Sequence, residues 1–107
     1  MRRIYLARLD KIRPVLLLTR EIVVPHLNAV TVAPITSRIR GLSTELPVGP
    51  ANGLDHDSVV SLDNVQTIAT ADLIRHIGWL APRSEAALAV CIAAAFDLDT
   101  EPPGHDR

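Results

Sequence analysis

Up to about residue 68 the chain breaks into short apolar runs separated by polar or proline- and glycine-rich stretches, as in strand-rich folds. Ile4 and Leu6 alternate with Tyr5 and Ala7, which predicts a first strand over residues 3–9. Asp10 to Arg13 reads as a short turn. Val15 to Leu18 has no polar alternation, so a second strand over 14–19 is expected to be buried on both faces. Pro14 has no N–H and suits the first residue of a strand or an edge. Residues 21–26 end in Pro25-His26 and read as a loop with some extended character. Asn28 to Ile35 alternates small and branched residues and predicts a third strand, with Pro34 marking an edge or a bulge. A fourth strand is expected over 43–48, a loop over 47–56, a strand over 57–62 and a short extended piece over 64–68.

The pattern then changes. Thr70 can cap a short helix through Asp72 to His76, ended by Gly78. Pro82 can open a longer helix to about residue 97, with Leu88, Cys91, Ile92, Ala95 and Phe96 on one face. Glu101 to Arg107 reads as a polar, disordered end, and the predicted division is a domain over 1–98 followed by a polar tail over 99–107. Strands first and helices last predict an α+β domain around a curled antiparallel sheet.

Composition narrows this picture. A chain of 107 residues fits one small domain, and 48% apolar residues suffice for a core packed mostly by Leu, Ile, Val and Ala. A domain this small often gains stability from a second copy. The single cysteine, Cys91, excludes an internal disulfide and fits a reducing cytoplasm. No apolar stretch reads as a signal peptide or membrane span. Net charge is −1, but residues 1–40 carry eight Lys or Arg against two acids, and the rest three against ten. The first part can offer a basic face to a polyanion, or the two parts can neutralise each other in the fold.

Sequence signatures of phosphate loops, zinc sites and serine nucleophiles are absent. Cys91 reads as a core residue and Trp79 as packing under the helices. His76 suits a helix end, while His26 and His56 fall in loops where either can serve as an acid or base. What remains is a pair of strand ends. Arg13 starts one buried strand; Thr36 and Ser37 end another, followed by Arg38 and Arg40. If these strands are antiparallel neighbours, Arg13 and Thr36 share one small site suited to phosphate. The alternative is that Arg13 merely pairs with a surface carboxylate.

Three blocks in this order resemble the MazF/PemK-type toxins of bacterial toxin–antitoxin modules. They are Arg13-Pro14-Val15-Leu16-Leu17-Leu18, Val32-Ala33-Pro34-Ile35-Thr36-Ser37 and Asp57 to Ile68. The resemblance spans residues 3–98. It implies an SH3-like curled antiparallel β-barrel with a short helix and a C-terminal helix, the fold shared with CcdB-type proteins, assembled as a homodimer. It implies a metal-independent endoribonuclease without cofactor that cuts single-stranded RNA through its own 2′-hydroxyl. Arg13 and Thr36 match the family's catalytic arginine and threonine. Lys11, Ser37, Arg38, Arg40 and Asp63 are then the residues expected to contact RNA. A cognate antitoxin is implied as partner, with operator DNA reached only through it. The chain departs from the family in lacking an Arg-Gly-Asp opening, in a first loop of about four residues, and in Ser61 where some members carry arginine. A toxin of the same fold binds DNA gyrase without cutting RNA, which is the competing expectation.

Overall fold

The computed structural model describes residues 1–100. Among the described residues seven antiparallel strands form a curled sheet covered by one α-helix; the curled antiparallel sheet and the C-terminal helix are as expected. The strands are β1 (Arg2–Arg8), β2 (Ile12–Leu17), β3 (Ala29–Thr36), β4 (Glu45–Val48), β5 (Ser58–Ser61), β6 (Gln66–Ala69) and β7 (Leu73–Leu80), followed by α1 (Glu85–Ala95). Their order in the sheet is β4-β5-β3-β2-β1-β7, and β6 also pairs with β3. The expected tail from residue 101 onward lies outside the described residues.

The unbroken apolar run of β2 follows from its place at the centre of the sheet. Leu16 joins a core with Ile4, Ala33, Ile35, Val60, Leu80 and Leu88. Val15 and Leu17 point the other way, into a second core with Ala7, Val30 and Val32. All three side chains are fully buried. α1 covers the first core through Leu88 and Cys91, and burial there pushes the Cys91 thiol up from its ordinary value. Arg2 ties the helix to the sheet. Its Nε and Nη2 donate to the Glu85 carboxylate at 2.9 and 3.0 Å, and Nη1 donates to the carbonyls of Leu17 and Leu18.

The prolines sit where a ladder can spare an N–H. Pro34 lies inside β3 rather than at an edge or bulge, opposite Val15 of β2. On the other side of β3, pairing with β6 ends at Val32 and pairing with β5 begins at Ile35, so Pro34 falls in the gap between partners. Pro14 is the third residue of β2 rather than the first. It pairs with Leu6 on β1, and the ladder to β3 starts one residue later. Residues Glu21–His26 form a 3₁₀ helix instead of an extended loop.

The main correction concerns residues 70–80. Thr70–Asp72 is a single 3₁₀ turn, and the expected helix over 72–76 is the first part of β7. β7 pairs with the free edge of β1 from Ala7↔Leu73 to Arg2↔Leu80, and this pairing overrides the local helix signals. His76 therefore ends no helix; its Nε2 lies 2.8 Å from the Gly78 carbonyl oxygen. Trp79 does not pack beneath the helix. It lies half-exposed beside His76, with the Arg3 guanidinium 5.1 Å from its ring centre.

Gly53 and Gly78 let the loop between β4 and β5 lie directly on β7. A Cβ on Gly78 would overlap the Asn52 carbonyl, and one on Gly53, at φ +89°, would overlap that of Ile77. Asn52 Nδ2 donates to the Trp79 carbonyl at 3.0 Å across the same contact. Gly41, at φ +76°, has open space around it. Gly78→Ala should therefore cost about 3 kcal/mol or more, since a clash with backbone cannot be relieved by a rotamer. Gly41→Ala should cost only about 1 kcal/mol of backbone strain. Urea unfolding of the two variants checks that order, and a Gly78→Ala protein as stable as the parent contradicts the close approach.

Candidate functional site

β2 and β3 are antiparallel neighbours, with Val15 opposite Pro34. Extending that register by two residues sets Arg13 opposite Thr36. Both residues line a surface groove of about 560 Å³, and both also line a smaller one of about 310 Å³ beside it. Arg13, Ile35 and Thr36 thus form a ridge shared by the two grooves.

Arg13 does pair with a carboxylate, and the partner is Asp10 across the β1–β2 turn. Arg13 Nε donates to Asp10 Oδ1 at 2.9 Å and Nη2 donates to Oδ2 at 3.1 Å. The bidentate contact leaves Nη1 free to meet a second anion. The hydrogen bonds from Arg13 hold the Asp10 carboxyl at about 2, with the Lys11 backbone N–H adding to the effect. A depressed carboxyl value means that the pair is intact above the ordinary carboxylate pKa and is lost as pH falls toward 2. Arg13 is in turn shifted up by Asp10, so the guanidinium stays charged. Asp10 escaped the sequence reading; its signal was a carboxylate three residues before an arginine across a tight turn.

Thr36 Oγ1 accepts the N–H of Arg38 at 3.1 Å, which turns the chain at the end of β3. Beyond it, the segment carrying Arg38 and Arg40 is held by one carboxylate oxygen. Glu45 Oε1 accepts the backbone N–H groups of Arg40, Gly41 and Leu42 at 3.1, 2.8 and 3.1 Å. Arg38 and Arg40 line the larger groove and make no ion pair among the described residues. Asp63 lines it from the opposite wall, its Oδ2 accepting the Thr44 hydroxyl at 2.6 Å. Asn64 Nδ2 donates to Ser61 Oγ at 2.8 Å on that wall.

The expected site residues therefore divide. Arg38, Arg40 and Asp63 flank Arg13 and Thr36 on the larger groove, whereas Lys11 and Ser37 face the smaller one. His56 also lines the smaller groove; His26 lies in the 3₁₀ helix after β2 and lines neither. Glu45 was not singled out from sequence, because its three backbone partners converge only once the 40–42 turn forms. Among the described residues, no group of three His, Cys, Asp or Glu side chains is placed to hold a metal ion. No helix among them is long and apolar enough to cross a membrane.

Residues 3–96 match the model of the PemK-like, MazF-like toxin of type II toxin–antitoxin systems. The chain is 62% identical over 99 residues to endoribonuclease MazF3 of Mycobacterium tuberculosis, covering 92% of this chain and 96% of that protein. It is 35% identical over 86 residues to the probable endoribonuclease MazF5 of the same species, covering 79% of each. The solved structure of M. tuberculosis toxin MazF-mt6 superposes with a TM-score of 0.89 at 61% identity, over 91% of this chain and 98% of that one. With that fold and these relatives, the chain belongs to the PemK-like, MazF-like endoribonuclease toxins of type II toxin–antitoxin systems.

Proposed function

We propose that this protein cuts single-stranded RNA at a preferred short sequence, with Arg13 and Thr36 acting on the scissile phosphate. The observation that supports the reading is that Arg13 and Thr36 line the same two grooves, with Arg38 and Arg40 lining the larger. The 2′-oxygen next to the cut forms a bond to phosphorus as its proton leaves. The bond from phosphorus to the 5′-oxygen breaks, and that oxygen gains a proton. The products are a 2′,3′-cyclic phosphate and a 5′-hydroxyl. Negative charge builds on the non-bridging oxygens in between, and Nη1 of Arg13 is available to donate to it. Asp10 holds the guanidinium plane in place while the Thr36 hydroxyl donates to the same phosphate. A guanidinium stays protonated, so Arg13 serves as a donor and not as the base. The groove is open and polar, and Arg38 and Arg40, which line it and make no ion pair among the described residues, suit a flexible strand of phosphates. The partners proposed are a cognate antitoxin that covers the groove, with operator DNA engaged only through it, and a second copy of the chain; membership of a toxin–antitoxin family supports the first of these.

Arg13→Ala should slow cleavage by about two orders of magnitude or more, the usual effect of removing a donor to developing charge. Arg13→Lys should recover little, because a point charge lacks the fork geometry that Asp10 holds. Thr36→Val should cost about tenfold or more, a hydrogen bond to a charged group. These rates are read on a long synthetic RNA with EDTA present, by mapping cut ends that carry 5′-hydroxyls. A parent protein that leaves every RNA uncut would overturn the reading in favour of a non-cutting toxin such as a gyrase binder.

RNA affinity should also fall steeply with salt. Each phosphate contact in a single strand contributes about −0.7 to the slope of log K against log salt. Arg38→Ala and Arg40→Ala should each flatten that slope by about this amount. Titrations in the Arg13→Ala background measure it without cleavage, and unchanged slopes would remove these arginines from the RNA path.

A further inference from the structure

The smaller groove lies beside the larger one. It shares the Arg13–Thr36 ridge but differs in chemistry: Lys11 is its one other cation, Pro14 and Leu54 give it apolar wall, and Asp55 and His56 close it. His56 and Asp55 are both exposed, and among the described residues neither side chain has a hydrogen bond, ion pair or ring contact. His76, by contrast, is committed to Gly78, Tyr5 and Trp79. The His56 main chain is nevertheless fixed. Ser58, itself buried, donates its hydroxyl to the His56 carbonyl at 3.0 Å. Three residues earlier the same loop is seated on β7 by the close approach of Gly53 to Gly78 and by the Asn52–Trp79 hydrogen bond. An unengaged ring and an unengaged carboxylate are thus held on the anchored β4–β5 loop, with Lys11 of the β1–β2 turn lining the same groove.

We propose that this groove is a base-reading subsite for the nucleotide adjoining the scissile phosphate, a deepening that rests on the ribonuclease function proposed above. The nucleobase stacks on the His56 imidazole, as unstacked single-stranded bases do on flat side chains. Asp55, an acceptor only, takes a hydrogen bond from an exocyclic amino group on the base edge. The subsite therefore favours cytosine, adenine or guanine over uracil, whose edge has no amino group. Lys11 holds the next phosphate. The volume of about 310 Å³ suits one nucleoside, while the larger groove takes the remaining strand.

The test is cut-site mapping on an RNA library randomised around the cleavage position, with the parent, Asp55→Asn, His56→Ala and His56→Phe proteins. The parent should disfavour uracil about tenfold at one position next to the cut, the discrimination expected of a good base contact. Asp55→Asn, whose amide both donates and accepts, should reduce that to about twofold or less at the same position alone. His56→Ala should raise KM about tenfold with kcat nearly unchanged, and His56→Phe should restore KM, which a merely structural histidine would not do. Circular dichroism melts confirm that the variants fold. Cutting by the parent with base preference and KM unaltered in all three variants overturns the subsite alone. A parent that cuts no RNA overturns the ribonuclease reading and the subsite with it.

Discussion

The register between β2 and β3 is the constraint on which the site depends. β2 carries apolar side chains on both faces, Leu16 into one core and Val15 and Leu17 into the other. A slip of one residue would exchange the two faces along the whole strand, so burial on both sides fixes the register strongly. Continued two residues beyond its last pair, Val15 and Pro34, that register brings Arg13 level with Thr36. The polar residues thus take their positions from apolar packing one turn of the pleat away. Neither proline weakens the ladder, because each lies where one neighbouring strand ends.

Around this ridge the charges are arranged by carboxylates that organise the loops. Asp10 aims Arg13, Glu45 gathers three backbone N–H groups under Arg38 and Arg40, and Asp63 is tied to Thr44 on the facing wall. The larger groove is therefore lined by both signs, Arg13, Arg38 and Arg40 with Asp10, Glu45 and Asp63, and each of those acids is engaged by a protein donor. The expectation of two mutually neutralising parts is met only in part: among the described residues Arg2 pairs with Glu85 across them, Arg3–Glu21 and Arg13–Asp10 are pairs within the first part, and Arg38 and Arg40 make no ion pair.

Much of this was legible in the sequence. The unbroken run of β2, the alternation in β1 and β3, the packing of α1 through Leu88, Cys91, Ile92 and Ala95, and the grooves shared by Arg13 and Thr36 follow from periodicity and strand ends, whereas Phe96, expected on the same helix face, lies past the helix end and is exposed. What was not legible depends on tertiary partners. Thr70, the polar residues at 72–76 and Gly78 imitate a capped and terminated helix. The segment is a strand because β1 offers a free edge, and Gly78 serves a close loop contact instead of a helix end. Trp79 follows from the same error, since its side depends on the pleat of β7. The Asp10–Arg13 pair was open as a class of contact but not as a named partner. The division of Lys11 and Ser37 from Arg38 and Arg40 appears only when the β4–β5 loop folds down and creates a second groove.

The central claim is that β2–β3 pairing makes Arg13 and Thr36 act on one phosphate. A double-mutant cycle in single-turnover RNA cleavage tests it most directly. The account predicts strong non-additivity: Arg13→Ala combined with Thr36→Val should be scarcely slower than Arg13→Ala alone, as for residues that act as a unit. Fully multiplicative losses would contradict it, showing two residues that work on separate steps or separate parts of the strand.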